Sequence, residues 1–518
     1  MIQIFLQAIL CCLTIPVLRA QAFYDVTGFG ARNDSTQIAT RPIAAAIEAA
    51  SRAGGGTVYF PAGRYHTGPI HLKSNITIFI DAGAELHFSD DFDQYLPMVE
   101  SRYEGVDVVS FSPLFYANGA ENITITGRGR IDGHGRKWWD FTEGYREGQP
   151  RSRWQKIFDS LNRDILLPDD PKQMKRGFLR PPLIQTMHCS NVRIEGITIV
   201  NSPFWTVNPE FCDNVLITGV TIVNPPSPNT DGINPGSCRN VRISDCHISV
   251  GDDCITIKSG KDIPGRTKAR PAENYTITNC TMLNGHGAVV IGSEMSGGVR
   301  NIVISNCIFD GTDRGIRIKT TRGRGGVVED LRVDNIIMKN IREQAIVLDM
   351  EYSKAPLEPV SERTPRFRNI RFSNITAQGR EAMFVNGLDE MPVSGISLHD
   401  VIFDTEEGIR IRNAQEVDLH HVRVNARKGV LLTVENTERL LVDALSTSDA
   451  SDTVPLIRLK DARDVMIANT WLLQRVKTFS MVSGKRTQNI NFNNNAIGAA
   501  STHVGRDVPS GAVKVGRR

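Results

Sequence analysis

The chain has 518 residues, 40% of them hydrophobic, and a formal charge of +3 from 60 lysines and arginines against 57 aspartates and glutamates. This ordinary balance excludes disordered and collagen-like chains, and the nearly neutral charge disfavours a general nucleic-acid binder. Beyond the N-terminus there is no run of about 18 or more apolar residues, so we expect no membrane span in the mature protein.

The first 22 residues have the features of a targeting segment. Met1–Leu18 is uncharged and rich in Ile, Leu, Ala and Val. Ala20 and Ala22 match the small-residue pattern that a signal peptidase requires. The usual basic residues at the start are missing, and a buried N-terminal strand or an uncleaved anchor is the alternative. We predict a signal peptide over residues 1–22 and a secreted or periplasmic protein.

Two later segments differ from the rest of the chain. Residues 42–52, rich in Ala and Ile, predict a helix with Thr40 as N-cap and a stop at Gly54–Gly56. We expect this helix to cap the N-terminal end of the fold. Residues 137–180 carry three tryptophans and many charges, and we interpret them as an inserted excursion beside the main body and its cleft rather than a separate domain.

A repeat runs through most of the chain. Between Asn191 and Asn301 its Asn-x-x-Ile phrases are 23, 26, 34 and 27 residues apart. Each unit holds short alternating apolar runs between Gly, Asn, Asp and Ser turns, which is typical of half-buried strands. Units of this length predict an all-β fold, a single-stranded right-handed parallel β-helix over residues 23–500, followed by a polar tail over 501–518. Recurring asparagines would then form ladders at a coil step of about 4.8 Å.

Seven cysteines lie beyond the predicted signal peptide, several of them at recurring positions of the repeat. An odd number cannot all pair, and a chain of this size needs no disulfide framework. Close Cys-x-x-Cys pairs and histidine partners, which metal ligation would require, are missing. We predict stacked core thiols with at most one or two disulfides.

One corner of the predicted coil carries acidic residues and a histidine that the repeat does not explain. When the last strands of successive coils are aligned, Asp252 and His286 share one position on adjacent coils. Asp231 and Asp253 share another. Carboxylates this close repel, so one keeps its proton while others stay ionised. Hydrolysis of a glycosidic bond requires that division between an acid and a base.

Cations follow on the same face of the predicted strands. Arg317 points to the same side as Thr256, and Lys319 shares its register with Lys258. Such cations suit an anionic sugar, because an arginine contacts a carboxylate at two points. The basic run 314–324 is alternatively a phosphate or RNA patch, although it lacks interleaved aromatic residues.

Two other histidine motifs receive a structural interpretation. The turn Gly133-His134-Gly135 lacks carboxylates at its register, so we expect a tight turn without chemistry. His420 and His421 lack carboxylate or cysteine companions in sequence, so we expect a solvated pair on a strand.

At the polar corner the sequence resembles the polygalacturonases, the glycoside hydrolases of family 28. The matching motifs occur in family order, and they are Asn229-Thr-Asp-Gly232, Gly251-Asp-Asp-Cys254, Gly285-His-Gly287 and Arg317-Ile-Lys319. The resemblance covers residues 24 to 350 clearly, and beyond 350 only the coil pattern supports it.

The resemblance implies inverting hydrolysis of α-1,4-linked galacturonic acid without metal or cofactor. On this view Asp252 is the general acid, Asp231 and Asp253 activate the attacking water, and His286 tunes the acid or positions the sugar. Inversion predicts acid and base carboxyls about 6.5–9.5 Å apart. The implied substrate-binding residues are Asn229, Lys258, Arg317 and Lys319.

Several alternatives stay open from the sequence. On the same scaffold a pectate-lyase-like enzyme would cleave by elimination with calcium, and other family members hydrolyse rhamnogalacturonan or xylogalacturonan. A β-helical polysaccharide-binding adhesin would need no turnover. Motifs at 292–294 and 320–326 resemble a branch in which attack at chain ends is common, so exo action is slightly favoured over endo. The expected partner is an acidic polysaccharide, and the expected state is a monomer.

Overall fold

The computed structural model describes residues 23–144, 149–165, 179–449 and 451–516. The predicted signal peptide lies outside these residues. Nearly all described strands pair in parallel, one coil above the next, and they build the predicted right-handed parallel β-helix. Within the described residues, no helix has the length and apolar character needed to cross a membrane.

The early coils each contribute strands to three stacked columns, which we call sheets 1, 2 and 3. Sheet 1 contains Phe23–Asp25, Gly56–Phe60, Ile76–Ile80, Glu121–Gly127, Ser190–Glu195, Asp213–Thr218, Arg239–Ser244 and Ala272–Thr278. Sheet 2 contains Asp34–Ile38, Gly63–Thr67, Ala84–Phe88, Arg130–Asp132, Thr198–Val200, Thr221–Val223, His247–Val250 and Thr281–Asn284. Sheet 3 contains Ile70–His71, Phe115–Asn118, Ile184–Met187, Val207–Glu210, Ile255–Ile257, Val289–Gly292 and Ile316–Lys319.

From residue 299 onward the strands continue around the corners of the coil. The long strands are Val299–Asp310, Val327–Asp349, Arg366–Asn386, Val393–Ala426 and Leu432–Asp443. The stack then ends in shorter strands, which are Ser446–Thr447, Ile457–Lys460, Arg463–Ala468, Trp471–Leu472, Thr478–Ser483, Gln488–Asn493, Ser501–Val504 and Val513–Val515.

The prediction of a polar tail from residue 501 is wrong for the residues that the structure describes. Ser501–Val504 pairs with Thr478–Ser483, and Val513–Val515 pairs with Gln488–Asn493. A short strand at the end of a stack is held by backbone hydrogen bonds, which make few demands on side-chain polarity. The coil therefore continues through this segment.

The inside of the coil is a set of apolar columns. In sheet 1, Ile123, Val192, Val215 and Val241 lie in register on successive coils, and all four are buried. Their neighbours along each strand point outward, which explains the alternating pattern in the sequence. All seven cysteines are free and buried, which confirms the expectation of core thiols.

The predicted asparagine ladder is present along one corner. Asn122 donates to the side-chain oxygen of Asn75 at 2.7 Å, Asn191 donates to Asn122 at 2.9 Å, and Asn214 donates to Asn191 at 2.6 Å. These residues have φ values between +55° and +62°, a left-handed conformation that asparagine tolerates. Each amide therefore both shapes its turn and ties its coil to the previous one.

Helix α1 (Thr40–Arg52) covers the N-terminal end of the stack, as predicted, and its apolar face is buried. The prediction of Thr40 as N-cap is wrong, because the helix already begins at Thr40 and follows Ala39, which has no capping side chain. Instead the Thr40 hydroxyl accepts a hydrogen bond of 2.6 Å from the Gly68 amide. It ties the helix to a loop of the second coil.

The remaining elements lie outside the repeat. They are an antiparallel hairpin (Val99–Tyr103 with Val106–Ser110), helices α2 (Arg136–Glu143), α3 (Arg153–Leu161) and α4 (Asp262–Lys268), and 3-10 turns at Val26–Phe29 and Phe92–Tyr95. The described part of the 137–180 excursion packs on the coil, since the Trp139 indole donates at 3.0 Å to the carbonyl of Ser202, which follows the sheet 2 strand Thr198–Val200.

Candidate active site

The turns from sheet 2 to sheet 3 form one corner of the coil, and we call the turns at 229–231, 251–253 and 285–287 the cleft corner. Backbone hydrogen bonds set their register. The His286 amide donates to the Asp252 carbonyl at 3.0 Å, and the Gly232 amide donates to the Asp253 carbonyl at 3.0 Å. Asp252 therefore lies beside His286, and Asp231 beside Asp253, as the sequence alignment predicts.

Three carboxyl groups meet at this corner. One oxygen each from Asp231, Asp252 and Asp253 lies within 4.8 Å of the others. Asp231 and Asp253 are buried, whereas Asp252 is partly open to solvent. These oxygens are closer to one another than the separation of about 6.5–9.5 Å expected between the acid and base carboxyls of an inverting pair. Stacking on adjacent coils explains the short distance, because one coil step is only about 4.8 Å.

The surroundings of Asp231 and Asp253 shift the pKa values of the two carboxyls in opposite directions. Burial, followed by the charges of Asp252 and Asp253, raises the pKa of Asp231 well above its usual range. Its Oδ2 accepts hydrogen bonds from Asn234 at 3.0 Å and Thr256 at 3.1 Å. Asp231 is therefore the carboxyl that most resists ionisation.

Asp253 behaves in the opposite way. Burial acts to raise its pKa, but the neighbouring charges of Lys319, Arg317 and Lys258 outweigh burial and lower it. The closest of these cations, Lys319, donates to Asp253 Oδ2 at 3.0 Å. The three carboxyls, which we call the triad, therefore include an anion at Asp253 and a proton retained at Asp231. Acid–base chemistry needs this division between an ionised and a protonated group.

His286 lies at the open side of the triad. Its Nδ1 is 3.2 Å from Asp252 Oδ1, and this hydrogen bond raises the pKa of the imidazole. The ring is 55% exposed, so it faces the cleft rather than the core.

The structure gives the predicted cations different environments. Arg317 and Lys319 both lie over the Tyr352 ring, each 5.4 Å from its centroid. Among the described residues Arg317 makes no ion pair, so its guanidinium is open to a ligand. Lys258 instead donates to Glu294 at 2.6 Å and lies over Trp205 at 4.7 Å. Its charge is already matched within the protein.

Arg180 holds Asn229 and the turn around it. The side-chain oxygen of Asn229 accepts a hydrogen bond from Arg180 at 2.7 Å, and Arg180 also donates to the Pro228 carbonyl. Asn229 has a φ of +53°, which asparagine tolerates in a tight turn. The turn therefore enters the cleft in one fixed conformation.

The alternative of a phosphate or RNA patch on the basic run 314–324 loses its support. Arg314 pairs with Glu343, and Arg322 pairs with both Glu351 and Glu390. Arg324 lies 3.2 Å from Asp262. With Lys319 bound to Asp253, the run is mostly neutralised by carboxylates of the protein itself.

All eight predicted site residues line a single cleft of about 670 Å³. The cleft also contains residues that the sequence reasoning did not assign to it. These are Glu104, Trp205, Lys261, Ser293, Glu294, Asp313, Arg314, Arg324, Glu343 and Tyr352. Glu294 belongs to a motif noted in the sequence, but Glu104 comes from the hairpin turn, which has no place in the repeat.

Two loops outside the repeat meet at the cleft. A Cβ added to Gly105 would lie 2.9 Å from the Lys261 amide nitrogen, so the hairpin turn contacts the loop before α4 directly. Lys268 in α4 also pairs with Asp107 of the hairpin at 2.7 Å. The hairpin and the α4 loop thus wall one side of the cleft with Glu104 and Lys261.

The second Gly-His-Gly turn departs from its prediction. His134 Nε2 lies 3.9 Å from Asp132 Oδ1 and 3.0 Å from His87 Nδ1. The expectation that this turn lacks carboxylates is wrong, because Asp132 precedes it by only two residues and folds back towards it.

Comparisons with known proteins confirm the family that the sequence motifs predict. Residues 170–423 match the model of glycosyl hydrolases family 28, and residues 23–144 match a model described as rhamnogalacturonase A/epimerase, pectate lyase-like. A probable polygalacturonase from Vitis vinifera is 32% identical over 389 residues, which cover 73% of each chain.

Bacterial relatives show the same similarity. An endo-polygalacturonase from Pectobacterium carotovorum is 28% identical over 67% of this chain and 79% of its own length. The crystal structure of a hyperthermoactive exopolygalacturonase from Thermotoga maritima superimposes with a TM-score of 0.70 at 34% identity, covering 77% of this chain and 91% of that one.

Proposed function

The chain belongs to the glycosyl hydrolases of family 28, and from that premise we propose that it hydrolyses the α-1,4-galacturonosidic bonds of polygalacturonan and pectin. The single observation that carries the choice of substrate is the placement of charge. The clustered carboxyls of Asp231, Asp252 and Asp253 lie in the same cleft as Arg317, a cation without a carboxylate partner among the described residues. A uronic acid polymer supplies a carboxylate for that cation beside every bond to be cleaved.

Asp252 is the general acid in this proposal. It is the most exposed of the three carboxyls and therefore the one that reaches the oxygen of the leaving sugar. Burial and the neighbouring carboxylates raise the pKa of Asp231, and because groups this close titrate together, the retained proton is shared by Asp231 and Asp252. His286 holds Asp252 through Nδ1 and acts as a positioning residue.

Asp231 and Asp253 activate the attacking water. Asp253 is kept anionic by Lys319, which suits a base. When Asp252 holds the proton that it shares with Asp231, the carboxylates of Asp231 and Asp253 both accept hydrogen bonds from a water held between them. Asp252 donates that proton to the glycosidic oxygen as the bond between this oxygen and the anomeric carbon breaks. The water oxygen bonds to the anomeric carbon from the opposite face, and the water loses a proton to the carboxylates of Asp231 and Asp253.

We keep inversion in the proposal although the carboxyls are close. Lys319 occupies one oxygen of Asp253, while Asn234 and Thr256 occupy one oxygen of Asp231. Carboxylates held in this way suit the orientation of water better than direct attack on carbon. Proton NMR of fresh product distinguishes the two outcomes: inversion releases the β-anomer first, and retention releases the α-anomer.

Exo action is the proposed mode. The contact between the hairpin and the α4 loop supports it, because a walled cleft restricts the passage of a long polymer. The similarity to an exopolygalacturonase agrees, although endo-acting relatives also exist. The ratio of viscosity loss to bonds cleaved tests the mode, since exo action shortens chains with little early loss of viscosity.

We further propose that residues 1–22 direct export and that the mature protein acts as a monomer. N-terminal sequencing of the exported protein should begin near Phe23. Light scattering of the purified protein should give the mass of one chain.

The activity itself is tested on polygalacturonate in the presence of a chelator. Hydrolysis produces new reducing ends without ultraviolet absorbance, whereas elimination produces an absorbing double bond. Chelator-sensitive absorbance would overturn the proposal in favour of a lyase. If the protein binds polygalacturonate but releases reducing ends no faster than Asp252→Asn does, an adhesin is favoured instead.

A further inference from the structure

The turn at Gly133–Gly135 lies at the same corner of the coil as the turn at Gly285–Gly287, on an earlier coil. Both follow a strand of sheet 2, which is Arg130–Asp132 in the first case and Thr281–Asn284 in the second. No carboxyl of the cleft corner is near enough to join the cluster formed with His134. The chemistry of the earlier turn therefore needs a separate explanation.

Three potential ligand atoms converge at this turn. His87 Nδ1 and His134 Nε2 are 3.0 Å apart, and His134 Nε2 is 3.9 Å from Asp132 Oδ1. One ligand atom from each residue lies within 4.8 Å of the others. Ligand atoms about 2.0–2.2 Å from a tetrahedral metal ion are about 3.3–3.6 Å from one another. Small side-chain adjustments would bring the three atoms to that spacing.

The surrounding hydrogen bonds orient these groups as in metal sites. Glu85 Oε2 lies 3.0 Å from His87 Nε2, so a proton on Nε2 leaves the lone pair of Nδ1 facing His134. Histidines that bind metals commonly donate their other ring nitrogen to such a carboxylate.

Asp132 is held in a similar way. The Asn201 side chain donates to both of its oxygens, at 3.0 and 3.1 Å, and the His134 amide donates to Oδ1 at 3.0 Å. These bonds fix the carboxylate against the turn. Two arginines lie nearby. Arg64 is 3.3 Å from Glu85, and Arg130 is 4.0 Å from Asp132. Neither lies between the imidazoles of His87 and His134.

The cluster is accessible to an ion from solvent. The side chains of His134, His87 and Asp132 are 46%, 25% and 11% exposed. The two imidazoles therefore lie on the solvent side of the cluster, and the less exposed carboxylate of Asp132 lies beneath them.

We propose that His87, Asp132 and His134 bind one divalent transition-metal ion of the Zn²⁺ type. Two imidazole nitrogens and one carboxylate oxygen are a donor set that zinc prefers, with a fourth position for water. The bound ion connects the coil of Ala84–Phe88 to the coil of Arg130–Asp132. Its effect is to stabilise the N-terminal coils, and the carboxyls of the cleft corner take no part in it.

The histidines at 420 and 421 provide an internal contrast. Their rings stack with centroids 4.6 Å apart, but His420 pairs with Asp443 at 3.0 Å and His421 with Asp400 at 3.3 Å. Each imidazole has its own carboxylate, so the pair shares no common centre. The double variant His420→Gln/His421→Gln therefore serves as a control that removes two histidines from elsewhere.

The test is titration of the chelator-treated mature protein with Zn²⁺ by calorimetry, and with Co²⁺ by visible absorption. We expect one ion per chain, with binding at least about 100-fold weaker in His134→Gln and about 10–100-fold weaker in Asn201→Ala. The double control variant should bind like the parent. Zn²⁺ should raise the melting temperature of the parent and leave that of His134→Gln unchanged.

Melting in chelator shows whether each variant is folded. Asn201 and His134 have φ values of +51° and +46°, so Asn201→Ala and His134→Gln should melt somewhat below the parent in chelator but still show a cooperative transition. The proposal is overturned if the parent binds no Zn²⁺ or if His134→Gln binds with the affinity of the parent. Loss of binding in the double control variant would also overturn it. None of these readouts depends on polysaccharide hydrolysis.

Discussion

The asparagine ladder and the cleft corner are both columns of side chains at turns of the same coil, separated by the same coil step. In the ladder, like residues repeat, and each amide donates to the one before it. At the cleft corner, unlike residues occupy successive coils, so Asp231 faces Asp253 and Asp252 faces His286. A stack of like amides stabilises the fold, whereas a stack of unlike charges shifts pKa values. Substitutions in the first column should affect stability, and substitutions in the second should affect activity.

The two Gly-His-Gly turns give the same lesson on a smaller scale. His286 has Asp252 on the coil before it, and His134 has His87. The motif is identical, but the neighbour one coil away differs. Chemistry in this fold is therefore set by the residues that stacking brings together.

The largest expected effect is that of Asp252→Asn. Because the amide cannot donate a proton to the leaving oxygen as an acid, kcat on polygalacturonate should fall about 10³-fold. The residue lies on a turn that is partly open, so the melting temperature should change little. Reducing-end assays and thermal melts measure the two effects, with His420→Gln as control. A kcat within tenfold of the parent would remove Asp252 from the acid role.

The next effect concerns Lys319→Met. Without this cation the pKa of Asp253 rises, and the base must be ionised to act, so the acid limb of the kcat/KM profile should move to higher pH by about 1–3 units. Lys319→Arg keeps the positive charge and should stay near the parent profile. An unmoved acid limb in Lys319→Met would show that Asp253 is not the base.

Asp231→Asn should separate activity from stability. The raised pKa of Asp231 means that the folded state holds a proton that the unfolded state releases, so this group lowers stability as pH rises from about 4 through its folded pKa. Asparagine removes that dependence. We expect an inactive variant with a higher melting temperature at pH 7 and a smaller gain near pH 4. A lower melting temperature at pH 7 would contradict the destabilisation that we assign to ionisation of Asp231.

The smallest effect belongs to the ladder. Asn191→Ala loses hydrogen bonds to Asn122 and from Asn214, and it places alanine at a φ of +55°. We expect a loss of about 2 kcal/mol in the free energy of unfolding. Asn191→Gly tolerates the φ value and should lose about 1 kcal/mol. Denaturant titration measures both, and kcat should be unchanged. A loss of activity without a loss of stability would break the proposed division between the two columns.

The register of the site could be predicted because the repeat supplies it. Aligning the coils by their strands is enough to place Asp231 beside Asp253 and Asp252 beside His286, since neighbours in a parallel stack differ by one coil. The pairing of Lys258 with Glu294 was not predicted. It joins the ends of two adjacent sheet 3 strands, and Glu294 lies beyond the last paired residue of its strand, where register no longer sets the direction of a side chain.

Features outside the repeat were also missed, for a similar reason. Glu104 reaches the cleft from a hairpin that has no register with the coils. His87 and His134 are 47 residues apart, and the intervening hairpin hides the fact that their strands are adjacent. Sequence periodicity locates residues on the coil, but it does not predict which residues of the loops outside the repeat will lie against the coil.

The most direct test of the central claim is product analysis of polygalacturonate treated with the purified protein in excess chelator. The account predicts saturated galacturonic acid, new reducing ends and no absorbance from a double bond, all lost in Asp252→Asn. Unsaturated products, or reducing ends that persist in Asp252→Asn at the parent rate, would contradict the assignment of this corner as a hydrolytic site.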